Sequence, residues 1–339
     1  MITNKKHRKC CVQLSHLAGV YISIPFAAIL LFSCNSRIDD SKFIPQTRKA
    51  SHLKTWKAPD TTTIPHDKAG NQIRYGRELL AHTANYFGPN GTIAHLSNGM
   101  NCQNCHLEGG SRIFANNYSI VNATYPRHNN RSGKMQPITG RISDCFNRSL
   151  AGRAPDTNSR EVQAMVAYLK WIGQGVKKGQ KPFGTASEKL PFLKIAADPA
   201  KGKVVYMAKC KICHGINGEG LPAPDKKTYT YPPLWGPHSY NDGAGMYRLS
   251  NLAGFVKNNM PFGATYNAPQ LTNQQAWDVA AFVNSQPRLH YDQHNDWKDL
   301  KTKPVDLPFG PYADGFSEAQ HKYGPFKPIL AAQAKNKKI

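Results

Sequence analysis

The chain has 339 residues, which is enough for two domains of ordinary size once terminal segments are set aside and which excludes a single small domain. Its 44 lysines and arginines against 21 acidic residues give a formal charge of +23 at pH 7, and this charge favours anionic partners. No helix-turn-helix, finger or RNA-binding pattern accompanies the charge, so small anions are expected as partners and nucleic acid is not.

Residues 1–33 have the pattern of an export signal of the lipoprotein type. A cationic stretch, Lys5 to Lys9, precedes an apolar run from about Val20 to Phe32 that is too short to span a membrane comfortably. A small residue then stands directly before Cys34, as in the lipobox of bacterial lipoproteins. We expect Cys34 to be lipidated and to hold the protein on the periplasmic side of the envelope. The alternative is an ordinary cleaved leader that ends near Cys34 by chance.

Removal of this leader takes away four positive charges and leaves +19 on the remaining chain, which is still strongly basic. Residues 34–65 are polar and interrupted by prolines, a composition typical of a tether.

The eight cysteines would normally predict a disulfide framework in an exported protein, but their positions predict other uses. Two lie inside the leader and a third is Cys34. Four belong to the pentapeptides Cys102–His106 and Cys210–His214, so only Cys145 is left over.

Both pentapeptides have the pattern Cys-x-x-Cys-His, in which two thiols one helical turn apart reach the two vinyl groups of one porphyrin and the adjacent histidine binds the iron. A redox dithiol or half of a zinc site would not explain why histidine follows directly in both cases. We therefore predict two covalently bound haem c groups. Their attachment residues and proximal ligands are Cys102, Cys105 and His106, and Cys210, Cys213 and His214.

In the first unit, residues 66–175, helical patterns flank the pentapeptide. One opens the unit at Tyr75 to Leu80, and the other closes it over Arg160 to Ile172, where apolar residues recur at helical spacing. Packing of an N-terminal against a C-terminal helix around the haem is the cytochrome c architecture. The unit is therefore predicted to be all-α, with strands no longer than fragments.

The iron of the first unit needs a ligand on its other face, and the residues after His106 offer His128, Met135 and Cys145. Met135 would make an ordinary electron-transfer haem. Cys145 would place a thiolate on the iron, which lowers its potential and adds a nucleophile. A third interpretation is that Cys145 is a buried small apolar side chain.

The neighbours of Cys145 favour the thiolate. From Arg127 to Arg153 there are five arginines and one lysine against a single acid, a field that stabilises thiolate and attracts anions. A short helix in this stretch would place Arg141, Cys145 and Ser149 on one face, because they are four residues apart. Some of these arginines are also expected to neutralise haem propionates.

The second unit, residues 200–287, repeats the arrangement of the first. A helical pattern opens it at Ala200 to Tyr206, and an amphipathic stretch closes it over Gln274 to Ser285, preceded by a capping box at Thr272 and Gln275. The fold predicted for the whole chain is thus all-α, with two tandem cytochrome c domains.

The remaining segments receive no function. Residues 176–199 are rich in Gly, Lys and Pro and are predicted to be a linker between the two units. Residues 288–339 are a proline-rich C-terminal extension, predicted to lie draped over the domains.

For the second iron we prefer Met260, which stands in Asn259-Met260-Pro261 just before the last helix, where many small cytochromes place the axial thioether. Met246 is the alternative, although methionines more often pack against apolar surface.

At this point the sequence resembles the dihaem c-type thiosulfate dehydrogenases over roughly residues 60–290. The features that carry the resemblance are the two haem motifs, the cluster of Arg131, Arg141, Cys145 and Ser149, and the run from Pro233 to Gly263 that contains Asn259-Met260-Pro261. Members of this family oxidise two thiosulfates to tetrathionate, and some work better in the reverse direction.

By this resemblance, the two predicted haems would have different roles. The first would be the active-site haem, at which the Cys145 sulfur leaves the iron and takes up a sulfane sulfur, and the second would pass electrons to a small cytochrome or another high-potential carrier. Some relatives have lysine directly before the methionine, whereas this chain has Asn259, which argues against a Lys/Met ligand exchange. The implied assignments are His106 and Cys145 on the first iron, Arg131, Arg141 and Ser149 on the substrate oxygens, and His214 and Met260 on the second iron.

Two other functions remain open from the residues alone. A lipid-anchored dihaem electron carrier has no substrate and no use for a thiolate beside arginines. A dihaem peroxidase needs an open iron position and an acid–base residue that the sequence does not indicate.

Overall fold

The computed structural model describes residues 55–336, apart from the side chain of Asn336. Short helices and turns dominate this part of the chain. Its helices are α1 (Lys68–Ala81), α2 (Thr83–Phe87), α3 (Leu107–Gly110), α4 (Val121–Thr124), α5 (Ile138–Asp144), α6 (Arg160–Ile172), α7 (Pro199–Lys209), α8 (Lys211–His214), α9 (Leu249–Asn259), α10 (Asn273–Ser285), α11 (Glu318–Tyr323) and α12 (Phe326–Asn336). A π-helical turn, Cys145–Ser149, continues directly from α5.

The strands within residues 55–336 are fragments, as predicted. They form two antiparallel hairpins, β1 (Arg127–Asn129) with β2 (Lys134–Gln136) and β3 (Leu221–Pro222) with β4 (Tyr229–Tyr231).

Each unit is built on one close helix crossing. In the first, α1 packs on α6 with Gly76 at the contact, where an added Cβ would lie 1.9 Å from the carbonyl oxygen of Ala164. In the second, α7 packs on α10 with Gly202 at the contact, where a Cβ would lie 1.9 Å from the carbonyl oxygen of Asp278. Both units of the internal repeat therefore contain the same feature, a helix crossing at which a glycine lets two backbones come into contact.

The helix ends agree closely with the sequence patterns. Helix α6 has the predicted bounds, and α10 begins one residue before the predicted Gln274. The capping box is formed, with Thr272 Oγ1 accepting from the Gln275 amide at 3.0 Å and Gln275 Oε1 accepting from the Thr272 amide at 2.8 Å. Helix α1 begins earlier than predicted, because Asp67 accepts from the Gly70 amide at 2.7 Å and caps it.

The two units pack into one body with a continuous apolar core. Polar contacts cross between them: Asn98 donates to the carbonyl of Ser239 at 2.9 Å, and Arg112 donates to that of Ala264 at 2.7 Å. The relative placement of the two units is thereby held by side chain to backbone hydrogen bonds as well as by apolar burial.

The segment proposed as a linker, residues 176–199, is not helical before Pro199, yet it is packed. Val176, Leu190 and Ala197 are all buried in the core. The end of the proposed tether is packed as well, since Trp56 and Ile64 are buried.

The C-terminal extension is docked and contains two helices that the sequence analysis did not predict. Phe326, at the start of α12, lies 5.2 Å from the ring of Phe192 and 5.9 Å from that of Trp277. Asp306 accepts from Arg248 at 2.7 Å and from the Ser250 hydroxyl at 2.5 Å. The predicted leader and Cys34 lie outside the described residues, and within residues 55–336 no helix is long and apolar enough to cross a membrane.

Candidate active site

The first unit contains a mainly apolar cavity beside the first Cys-x-x-Cys-His pentapeptide. Apolar side chains, among them residues of α1, α4, α5 and α6, form most of its wall, and sulfur, imidazole and guanidinium groups also line it. The polar and sulfur-bearing residues of the lining include Cys102, Cys105, His106, Arg141, Cys145 and Ser149.

The two attachment cysteines line this cavity. They are placed by a 3-10 turn, Cys102–Asn104, which Asn101 caps. Thr83 donates to the Cys102 sulfur at 3.2 Å. Burial raises the pKa of both Cys102 and Cys105 to about 12, so both are neutral thiols at pH 7.

His106 is held as a neutral ligand. Its Nδ1 donates to the backbone carbonyl of Asn116 at 2.5 Å, which leaves Nε2 free for iron. Burial lowers the pKa of His106 to about 4. The ring also stacks on Tyr118, with centroids 4.6 Å apart, so its orientation is fixed from two sides.

Of the three residues considered as the second iron ligand, Cys145 lines the cavity. His128 and Met135 face each other across the β1–β2 hairpin, where both are exposed, and Met135 is 62% exposed. Neither belongs to the cavity lining. Cys145 begins the π turn, a wider turn that frequently marks functional sites.

Arg141, Cys145 and Ser149 all line the cavity, as their spacing predicted. The electrostatic interaction with the Cys145 sulfur is the main cause that raises the pKa of Arg141 above its usual range, against the effect of burial. A permanent cation thus stands beside the sulfur at every accessible pH.

Arg131 does not belong to the cavity lining. Its Nε lies 3.8 Å from Oδ2 of Asp296, in the C-terminal extension, and its side chain is only 16% exposed. Burial and the neighbouring Arg148 lower the pKa of Arg131 to about 10, so it remains charged at pH 7. Arg148 lies in the basic stretch from Arg127 to Arg153, but the sequence indicates no role of its own for it and gives no signal for Asp296.

The second attachment site repeats the histidine geometry of the first. Nδ1 of His214 donates to the backbone carbonyl of Pro232 at 2.9 Å, and the residue is 7% exposed. Burial lowers the pKa of His214 and raises that of Cys210 to about 12. Cys213 is half-buried beside them.

Met260 and Met246 occupy different surroundings. Met260 follows directly after α9 and is half-buried against the core. Met246 is 8% exposed, and its sulfur accepts a weak hydrogen bond from the Asn116 amide at 3.7 Å, across the boundary between the units. Asn259 is buried and donates to the carbonyl of Phe114 at 3.1 Å, so it too joins the two units.

The residues of each unit fit a covalently bound haem. Each pentapeptide supplies two thiols for covalent attachment and a histidine whose Nδ1 donates to a backbone carbonyl, which is the donor set that haem c requires. In the first unit these residues line an apolar cavity.

Family models match both units. Residues 93–177 match the model described as SoxA/TsdA, cytochrome c domain, and residues 199–287 match the one described as Cytochrome c. Each match contains one Cys-x-x-Cys-His pentapeptide.

A thiosulfate dehydrogenase of Psychrobacter arcticus is 38% identical to this chain over 256 residues, which are 74% of this chain and 74% of the relative. The chain belongs to the thiosulfate dehydrogenase family. Proteins of the same name from Stutzerimonas stutzeri and Allochromatium vinosum are 34% and 36% identical, over 74% and 68% of this chain and 78% and 83% of their own lengths. The predicted all-α fold of two cytochrome c domains and the two covalently bound c-type haems are confirmed for this family member.

The solved structure of a thiosulfate dehydrogenase (TsdBA) from Marichromatium purpuratum, in its as-isolated form, matches with a TM-score of 0.62 and 32% identity. The match covers 68% of this chain and 49% of that one, so this family member spans about half the length of that structure.

Proposed function

We propose that this protein oxidises two thiosulfates to one tetrathionate, with Cys145 as the reacting sulfur. The observation that carries the proposal is the position of Cys145, which lines the same cavity as Cys102, Cys105 and His106 and stands beside Arg141. The names of the relatives support the same reaction.

The haem groups, when bound, each accept one electron and pass it on. His106 and Cys145 would ligate the first iron, and His214 with Met260 the second. Two thioether bonds would hold each porphyrin, from Cys102 and Cys105 in the first unit and from Cys210 and Cys213 in the second.

The chain's own residues account for the sulfur chemistry. Arg141 and Ser149 bind the sulfonate oxygens of thiosulfate, while Arg131 adds positive charge that offsets the repulsion between two dianions. The Cys145 thiolate and the sulfane sulfur form an S–S bond with loss of two electrons, for which the haems, when bound, would be the acceptors. A second thiosulfate then attacks the outer sulfur of that bond, which breaks, releasing tetrathionate and restoring the thiolate. No proton is transferred, and the reverse sequence reduces tetrathionate.

The decisive experiment compares the parent with Cys145→Ala, adding thiosulfate and ferricyanide to the oxidised protein and assaying tetrathionate. We expect product from the parent and none from the variant, while mass spectrometry shows both haems attached. His128→Ala and Met135→Ala are matched controls on the exposed hairpin and should retain activity. Undiminished activity in Cys145→Ala would overturn the mechanism. Product from neither protein, with both haems in place, would favour the electron carrier instead.

The partners and location follow from the same proposal. Electrons would leave to a small cytochrome or another high-potential carrier in the periplasm or its membranes. Cys34 would carry a lipid that anchors the protein there. In cells that express it, Cys34→Ser should move the protein from the membrane to the soluble periplasmic fraction, and an unchanged membrane fraction would rule the anchor out.

A further inference from the structure

Arg148, on the π turn, joins the first unit to the C-terminal extension. Its Nη1 and Nη2 donate to the two carboxylate oxygens of Asp296 at 2.8 and 2.9 Å, and its guanidinium lies 4.2 Å from the centre of the Tyr291 ring. The side chains of Arg148 and Asp296 are only 7% and 10% exposed. A bidentate ion pair between two largely buried side chains fixes the position of the Asp296 carboxylate.

The same carboxylate faces Arg131. Nε of Arg131 lies 3.8 Å from Asp296 Oδ2, the Arg131 carbonyl accepts from the Trp297 amide at 2.7 Å, and the guanidinium lies 5.8 Å from the centre of the Trp297 ring. Within residues 55–336, the Nη groups of Arg131 make no hydrogen bond, although the side chain is largely buried. Arg131 is therefore held on its Nε side while its outer donors remain available for an oxyanion.

The segment that carries Asp296 is itself fixed at both ends. The Tyr291 amide donates to Asp242 Oδ1 at 2.8 Å, in the second unit, and the Trp297 amide binds Arg131 in the first. Arg131 and Arg148 carry two positive charges against the single negative charge of Asp296, so this largely buried cluster has a net positive charge. Such a site favours a bound anion.

We propose that Asp296 is a positioning residue for substrate binding: locked by Arg148, it holds Arg131 so that its free guanidinium donors meet a sulfonate of thiosulfate or tetrathionate. This inference rests on the proposed function. It makes the C-terminal extension a part of the substrate site, although no residue of the extension lines the haem cavity.

Two possible roles of Asp296, repulsion of the substrate and positioning of Arg131, predict opposite effects of Asp296→Asn on the KM for thiosulfate. If Asp296 only repelled the dianion, its neutralisation would lower the KM for thiosulfate. If Asp296 positions Arg131, the KM rises, by roughly ten- to a hundredfold, with a smaller change in kcat. Asp296→Glu keeps the charge that Arg148 needs but displaces the carboxylate, so its KM should rise only a few-fold. In an Arg131→Ala background, Asp296→Asn should have little further effect, because its action passes through Arg131.

The matched controls separate positioning from general loss of stability. Asp306→Asn removes another ion pair of the extension, between the buried Asp306 and the partly buried Arg248, and should lower the melting temperature without changing the KM. Asp292→Asn, an exposed acid of the same segment, should change neither. An unchanged or lower KM in Asp296→Asn would overturn the proposal. Should that variant not fold, an unchanged KM in Asp296→Glu would overturn it equally.

A binding measurement tests Asp296 without turnover. In the Cys145→Ala dihaem protein, calorimetry at fixed ionic strength measures the Kd for thiosulfate, and adding Asp296→Asn should weaken it about as much as the KM rises. Failure of the proposed function would show as a parent that makes no tetrathionate. Failure of this inference alone would show as an active parent whose Kd and KM do not depend on Asp296.

Discussion

Nδ1 of His106 donates to the backbone carbonyl of Asn116 at 2.5 Å, and Asn116 reaches this position with a left-handed backbone, at φ 53°. Asparagine tolerates that conformation, whereas a β-branched residue does not. The orientation of the proximal histidine therefore depends on the residue type at position 116.

Asn116→Val should displace this carbonyl and weaken its bond to His106. A weaker bond makes the imidazole a poorer donor, so the reduction potential of the first haem should rise. Spectroelectrochemical titration measures this, with the second haem as an internal reference. Asn116→Gly, which adopts positive φ freely, should shift the potential less. Equal potentials in the valine variant and the parent would contradict the role of this bond.

Alanine at either helix crossing should destabilise its own unit. A Cβ at Gly76 or Gly202 would stand 1.9 Å from a carbonyl oxygen of the facing helix, so the helices must separate. We expect each change to lower the free energy of unfolding by about 1–3 kcal/mol or more. Thermal unfolding followed by circular dichroism provides the measurement. Gly175→Ala has open space around the new methyl group and should unfold like the parent.

The docking of the extension should depend on acid pH through Asp306. Burial acts to raise the pKa of Asp306, but the charge of Arg248 and hydrogen bonds from Ser250 and Arg248 outweigh it, and the pKa lies below the usual 3.8. Because the folded pKa is depressed, the stabilisation is complete above the unfolded value of about 3.8 and is lost as pH falls through the lower folded value.

Asp306→Asn measures that contribution directly. At pH 7 it should lower the free energy of unfolding by roughly 3 kcal/mol, since the fully buried carboxylate is lost and the partly buried Arg248 loses its partner. The difference in free energy of unfolding between parent and variant should be smaller at pH 3 than at pH 7. An equal difference at the two pH values would show that the carboxylate charge does not stabilise the extension.

The basic surface should speed the capture of thiosulfate. At saturating electron acceptor, kcat/KM for thiosulfate should fall as salt rises, because the screening length shrinks from about 30 Å at 0.01 M to about 10 Å at 0.1 M. A flat salt profile would mean that the net positive charge, +19 without the leader, has no part in guiding the substrate.

Local features of this protein were determined by the sequence itself. The haem motifs, the helix Arg160–Ile172, the capping box at Thr272 and the shared face of Arg141, Cys145 and Ser149 all follow from residues within a few helical turns of one another. Hydrogen bonds and side-chain spacing over that range depend on the residues present, so a pattern is enough to predict them.

Relationships between distant segments were decided by the tertiary structure alone. His128, Met135 and Cys145 are all candidates along the chain, and the arginines around Cys145 favour it; in the structure the β1–β2 hairpin exposes the first two, and the π turn places Cys145 at the cavity. Arg148 and Asp296 stand 148 residues apart and meet only because the extension folds back over both units. Such contacts depend on how whole elements pack against one another, and no local periodicity records that packing.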